Sequence, residues 1–119
     1  MSKKILWLSR HDPLKSQRRE LENLFGEILL LQDSNPFSNA REILKRFREG
    51  GFDEIVAVAP LSVIAHLTEF GIKPIWAEMK QVKNDGSAEV VTKERYYRFV
   101  CFKRIKSVRM EFEEIEKKR

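Results

Sequence analysis

The chain has 119 residues, of which 42% are hydrophobic and 34% charged, and it carries a formal net charge of +5 with a sequence pI of about 9.5. This length provides for one compact domain spanning residues 1–119, and the hydrophobic content excludes global disorder. The positive charge is compatible with an anionic partner, such as a nucleotide, a nucleic acid or an acidic protein, and equally with a solvated basic surface.

Cysteine usage and the first apolar run favour a cytoplasmic location. The single cysteine, Cys101, excludes an internal disulfide and fits a reducing compartment. It lies in an apolar run, residues 99–102, so we expect a small core residue rather than a nucleophile. The four apolar residues after Lys3 and Lys4 are too few for a signal peptide or a membrane span, so we expect no membrane association.

The first apolar run, residues 5–8, predicts a strand buried on both faces, as in a parallel sheet. The polar turn 9–11 follows it. Pro13 then suits the first position of a helix, with Asp12 as its N-cap. Apolar residues at helical spacing extend that predicted helix over residues 14–25.

The same alternation continues along the chain. It predicts strands over residues 27–32, 53–59 and 73–79, a helix capped by Ser38 or Asn39 that ends at Glu49, and a helix over residues 61–70 opened by Pro60. Regular alternation with short connections indicates right-handed crossovers. We therefore expect an α/β fold, a single Rossmann-like domain whose residues 1–80 form a four-stranded parallel core sheet with helices on both faces.

Residues 81–119 follow a different pattern and are expected to form a C-terminal β extension. The sequence at 84–87 is typical of a hairpin turn, and residues 90–92 and 96–103 read as strands. Residues 105–116 carry apolar residues both at alternate positions and at helical spacing. We favour a strand there and keep a helix as the alternative.

Polar or turn residues follow each of the four predicted parallel strands. Because the carboxyl ends of parallel strands meet at one edge of the sheet, where open α/β sheets bind ligands, we expect a ligand site there. No Gly-rich dinucleotide fingerprint, phosphate-loop motif or metal motif occurs, so we expect neither a cofactor nor a metal ion. The candidate ligand-binding residues are Ser9, Asp12, Asp33, Asn35, Pro60, Leu61, Ser62, Glu78 and Lys80.

Arg10 and His11 are the candidate catalytic residues of this edge. The Arg10 guanidinium can donate a bidentate pair of hydrogen bonds to a phosphate, and the His11 imidazole can transfer a proton near neutral pH. These residues predict binding of a phosphate-containing nucleotide. The alternative is that Ser9 and Asp12 only satisfy the turn and cap the helix, with His11 a surface residue.

Two other functions stay open. Basic residues interleaved with aromatic ones at 95–99 and 103–106 can bind nucleic acid without catalysis, through Arg98, Lys103 and Arg104. The alternative for this stretch is an ordinary strand with its aromatic side chains inward. The chain can also be a protein-interaction module in which Trp7 and Trp76 are core residues only.

Residues 9–17 resemble small CRISPR-associated proteins related to CARF sensor domains, some of which are candidate ring nucleases. The resemblance places Ser9, His11 and Gln17 at the family's motif positions and adds Gln17 to the ligand-binding candidates. It implies a role in antiviral defence, a homodimer and cyclic oligoadenylate as the ligand. It also implies metal-independent cleavage in which a ribose 2′-hydroxyl attacks the adjacent phosphate, with Arg10 stabilising charge and His11 orienting or transferring a proton.

Overall fold

Alternating apolar runs and amphipathic stretches fold into alternating strands and helices. A computed structural model describes residues 2–84 and 86–118. The elements, in chain order, are β1 (Lys3–Leu8), α1 (Lys15–Phe25), β2 (Ile28–Asp33), α2 (Ala40–Glu49), β3 (Glu54–Ala57), α3 (Leu61–Glu69), β4 (Ile75–Val82), β5 (Val90–Thr92) and β6 (Arg95–Arg104). Within the described residues, no helix has the length and apolar character needed to cross a membrane.

The strands form a mixed six-stranded sheet in the order β2-β1-β3-β4-β6-β5. Strands β1 to β4 are mutually parallel, whereas β6 pairs antiparallel with both β4 and β5. The fold is therefore α/β, as the alternation predicts. The expected four-stranded parallel sheet is wrong, because β6 pairs with the free edge of β4 and brings β5 into the same sheet.

Helices pack on both faces of the sheet. On one face, hereafter the α1 face, Leu21 of α1 packs with Ile5 and Trp7 of β1. On the other face, hereafter the α2/α3 face, Ile43 of α2 and Ile64 of α3 pack in a cluster with the remaining inward residues of β1 and β3. The buried runs of β1 and β3 supply side chains to both clusters, which explains why these runs are apolar at every position.

Helix α1 begins later than its sequence predicts. Leu14, not Asp12, is the N-cap, and its N–H donates to Oε1 of Gln17 over 2.9 Å. The side chain of Gln17, in the first turn of the helix, thus accepts the hydrogen bond of the N-cap residue. Asp12 and Pro13 therefore lie in the preceding loop. Helix α2 begins as one of the two predicted caps requires, with Asn39 Oδ1 accepting the N–H of Glu42 at 3.1 Å.

The C-terminal third differs most from expectation. The hairpin turn is formed by Lys93 and Glu94, between β5 and β6, rather than by residues 84–87, of which Asp85 lies outside the described residues. Residues 105–118 contain neither the strand nor the helix considered above. Ile105 and Val108 pack against the α2/α3 face, and the N–H of Ile105 donates to the carbonyl of Pro74 at 2.9 Å.

Candidate functional site

Strands β1 and β3 lie side by side, but the helices that follow them pack on opposite faces of the sheet. Their parallel register runs from Ile5 opposite Glu54 to Leu8 opposite Ala57. At such a point the two connections turn away from each other and leave a crevice outside the carboxyl ends of the strands. The topology therefore creates a ligand-sized opening between the segments that follow β1 and β3.

A pocket of about 430 Å³ occupies this crevice, a volume within the range of small-molecule sites. Three loops line it, one after each of β1, β2 and β3. The lining residues are Leu8, Ser9, Arg10, His11, Ser34, Asn35, Pro36, Phe37, Val58 and Pro60. The structure thus brings together five of the predicted site residues: Ser9, Arg10, His11, Asn35 and Pro60.

The loop after β1 is held through its backbone. The indole Nε1–H of Trp7 donates to the carbonyl of His11 at 2.8 Å, and the N–H of His11 donates to Oγ of Ser9 at 3.1 Å. Gln32 of β2 donates through Nε2 to the carbonyl of Ser9 at 3.2 Å. The Arg10 and His11 side chains are exposed and form no hydrogen bond or ion pair with any described residue, so both are available to a ligand.

The loop after β2 is held by a side chain that sequence reasoning missed. Arg46 of α2 forms an ion pair with Asp33 at 3.4 Å and donates to the carbonyls of Asn35 and Pro36. The other carboxylate oxygen of Asp33 accepts the N–H of Asn35 at 2.9 Å. Asp33 therefore supports the pocket wall and does not line it. The spacing of Arg46 four residues after Glu42 predicts only an ion pair within α2, which forms at 3.9 Å, and does not indicate the contact with this loop.

Hydrophobic lining residues were also missed by sequence reasoning. Phe37 is partly buried against the α2/α3 face, and Val58, which is 65% exposed, follows the end of β3. Leu61 and Ser62 lie in the first turn of α3 with exposed side chains and do not line the pocket. The loop after β3 therefore contributes Val58 and Pro60 rather than the first residues of the helix.

Four other predicted residues lie elsewhere. Asp12 is exposed in the loop before α1, and Gln17 is 6% exposed, with its Nε2 contacting the sulfur of Met79 at 3.8 Å. Glu78 and Lys80 are not at the carboxyl edge, because pairing with β6 extends β4 to Val82. The structure therefore places none of these four residues in the pocket lining.

Glu78 belongs to a separate cluster on the sheet. Its carboxylate accepts a hydrogen bond from the Cys101 thiol at 3.3 Å and forms an ion pair with Lys103 at 3.3 Å. Both hydrogen bonds lower the pKa of Glu78, and the hydrogen bond to the carboxylate raises the pKa of the Cys101 thiol. Cys101 is half-buried at this cluster and is not a core residue.

Arg104 is engaged on the opposite face. Its guanidinium donates to both carboxylate oxygens of Glu54, at 2.8 and 3.0 Å, and to the carbonyl of Lys73 at 3.0 Å. The hydrogen bond to Glu54, together with the negative charge of that carboxylate, raises the pKa of Arg104. A guanidinium bound in this way contributes to the sheet rather than to a nucleic-acid surface.

No family model, curated protein or solved structure matches this chain. Within residues 2–84 and 86–118, no group of three or more His, Cys, Asp or Glu side chains is placed to hold a metal ion.

Proposed function

We propose that the pocket between the loops after β1, β2 and β3 binds a phosphate-containing nucleotide. The observation that carries this proposal is the position of Arg10 and His11. Hydrogen bonds at Ser9 and His11 fix the backbone on either side of Arg10, while the Arg10 and His11 side chains are exposed and unpaired among the described residues. The carboxyl edge at a change in crossover direction is where open α/β sheets bind ligands.

The lining divides into a polar and an apolar part that suit the two ends of a nucleotide. Arg10 presents a planar, permanently charged fork that matches two phosphate oxygens, and Asn35 adds an amide. Phe37, Val58 and Pro60 provide apolar surface for a base or a ribose. This combination favours a nucleotide over inorganic phosphate.

The resemblance at residues 9–17 makes cyclic oligoadenylate the first ligand to test. The same resemblance implies a Rossmann-like domain, a cytoplasmic role in CRISPR-associated defence and a homodimer. A ring of nucleotides with two-fold symmetry presents the same half to each of two identical pockets, so a symmetric dimer matches it. Each chain would then supply one Arg10 and one His11.

The cleavage that the resemblance implies needs no cofactor, because the ligand's own ribose hydroxyl is the nucleophile. The ribose 2′-oxygen attacks the adjacent phosphorus, the bond from phosphorus to the 5′-oxygen breaks, and a 2′,3′-cyclic phosphate forms. The proton lost by the 2′-hydroxyl is balanced by one gained at the leaving 5′-oxygen. Arg10 stabilises the phosphate charge, His11 orients or transfers the proton, and the Ser9 hydroxyl positions the ligand.

The test is calorimetric titration with cyclic tetra- and hexa-adenylate in EDTA, followed by chromatography of the products. Arg10→Met removes the fork and should weaken binding by about tenfold or more, because a hydrogen bond to a charged group contributes about 1.5–3 kcal/mol. His11→Gln should leave binding nearly unchanged and abolish cleavage. Arg41→Met, at an exposed position of α2, is the matched control.

Binding that is equally strong in wild type and Arg10→Met would remove this pocket from the function. Binding without cleavage in the wild type would retain the pocket and make the chain a sensor or a sink for the ligand.

A further inference from the structure

The β4–β6 pair presents a second surface, on the side of the sheet away from α1. Residues directly opposite each other in an antiparallel pair project to the same face. Met79 and Phe102 identify the α1 face of this pair, because Met79 contacts Gln17 of α1 and Phe102 packs edge-on against Trp7. The other face, hereafter the β4–β6 face, carries the pairs Trp76–Lys103, Glu78–Cys101, Lys80–Arg98 and Val82–Tyr96.

This surface has an aromatic residue at each end, of which the one at the Trp76 end is the more exposed. Trp76 is 46% exposed, so it is not the core residue that the protein-interaction alternative requires. Tyr96 lies half-buried at the other end. The distance from Trp76 to Val82 along β4 is about 20 Å at about 3.4 Å per residue, long enough for several nucleotides of a single strand.

The centre of the surface holds a cluster of positive charge. Lys80 lies directly opposite Arg98, an arrangement that destabilises a strand pair unless an anion lies between the two cations. Both residues, together with Lys83, line an open concavity of about 640 Å³. None of the three forms an ion pair with a described residue, whereas the only acidic group of the four pairs, Glu78, is already paired with Lys103.

We propose that the β4–β6 face binds single-stranded nucleic acid, with phosphates on Lys80, Lys83 and Arg98 and a base stacked on Trp76. Cationic side chains that follow a backbone, combined with an exposed aromatic ring, are the combination that single-strand binding uses. This set replaces Lys103 and Arg104, which pair with Glu78 and Glu54. The proposal is independent of the nucleotide pocket.

The test is fluorescence anisotropy of the full chain with labelled twelve-nucleotide oligothymidylate and oligouridylate. Three phosphate contacts predict a slope of about −2 in a plot of log affinity against log salt, at about −0.7 per contact for single strands. Lys80→Gln/Arg98→Gln should reduce that slope to about −0.7. Trp76→Ala should weaken binding by about tenfold with little change in the slope.

Two controls distinguish binding at this surface from binding caused by overall positive charge and from binding in the nucleotide pocket. Arg41→Gln/Arg48→Gln removes the same charge from exposed positions of α2 and should leave affinity within about twofold. Arg10→Met should also retain binding. Preference for one oligonucleotide that is lost in Lys80→Gln/Arg98→Gln would support the surface. No binding to either, or equal losses in the α2 variant and the β4–β6 variant, would overturn the proposal.

Discussion

The indole of Trp7 donates a hydrogen bond from Nε1 to the carbonyl oxygen of His11 over 2.8 Å, while only 4% of the residue is exposed. A core side chain thus holds the backbone of the loop that presents Arg10 and His11. Because that loop contains no regular secondary structure, this contact and the two hydrogen bonds at Ser9 determine where the catalytic candidates lie.

Trp7→Phe should therefore affect both stability and ligand affinity. The variant leaves the His11 carbonyl without its partner and removes buried volume, so the free energy of unfolding should fall by about 1–3 kcal/mol. Nucleotide affinity should fall severalfold, because the loop loses a constraint. Trp76→Phe, at the exposed tryptophan, should change stability by less than about 0.5 kcal/mol and leave nucleotide affinity unchanged. Urea unfolding and calorimetric titration give both values, and equal effects of the two variants would contradict the account.

Gln17→Met should separate helix capping from ligand binding. Without Oε1, the N–H of Leu14 lacks an acceptor, so we expect a loss of about 0.5–2 kcal/mol in the free energy of unfolding. Nucleotide affinity should stay within about twofold, because the side chain is turned toward the cap and Met79. Gln81→Met, at an exposed strand position, is the control for stability. Unchanged stability with weaker binding would restore the ligand-binding role expected for Gln17.

The β5–β6 turn should tolerate a stabilising change. Lys93 and Glu94 have φ values of 49° and 65°, a left-handed conformation that costs an ordinary L-residue about 1 kcal/mol or more. Lys93→Asn/Glu94→Gly supplies the residues that such two-residue turns prefer and should add about 0.5–1 kcal/mol to stability. Alanine at both positions retains Cβ and should give no gain. A lower midpoint of thermal unfolding in the Asn-Gly variant would contradict this prediction.

The thiol of Cys101 should react more readily when Glu78 loses its charge. The hydrogen bond to the carboxylate raises the pKa of Cys101, so the reactive thiolate is scarce near neutral pH. Glu78→Gln should lower that pKa, shift the pH profile of iodoacetamide alkylation to lower pH and raise the rate severalfold at about pH 8. Mass spectrometry follows the reaction, with Glu69→Gln as the control. An unchanged profile would show that the carboxylate does not determine the thiol pKa.

The same contact has a consequence for stability in acid. The pKa of Glu78 is lowered in the folded chain, first by the Cys101 thiol and then by Lys103. A lowered carboxyl pKa contributes stability above the unfolded-state pKa, and that contribution disappears as the pH falls through the folded-state pKa. The stabilities of wild type and Glu78→Gln should therefore converge as the solution is acidified.

The local sequence pattern was sufficient to predict the presence and order of the first four strands and the three helices, and the position of the loop that carries Arg10. Apolar runs and helical spacing are properties of contiguous residues, and the carboxyl-edge position of Ser9, Arg10 and His11 follows from their order. Pairing between distant strands is not visible locally. The extension of β4 to Val82 depends on β6, and for that reason Glu78 and Lys80 were expected at a strand end that does not exist.

The sequence pattern also does not indicate which face of a strand is covered by helices. Trp76 is followed by alternating residues that suit either side of a sheet, and in the structure it lies on the face away from α1 and is 46% exposed. The apolar residues of the tail gave a similar error. Ile105 and Val108 contact the α2/α3 face, while Met110 and Phe112 are 76% and 87% exposed. The alternating apolar residues of the tail therefore do not form a strand that pairs with any described part of the chain.

Nucleotide binding in the pocket is tested most directly by an amide chemical-shift titration of the nitrogen-15-labelled chain with cyclic tetra-adenylate. The largest shifts are expected at Arg10 and His11, with smaller ones at residues 34, 35, 37, 58 and 59 and almost none at Lys80 and Arg98. Saturable shifts confined to the β4–β6 face, or no shifts at residues 9–11, would contradict nucleotide binding in the pocket at the carboxyl edge.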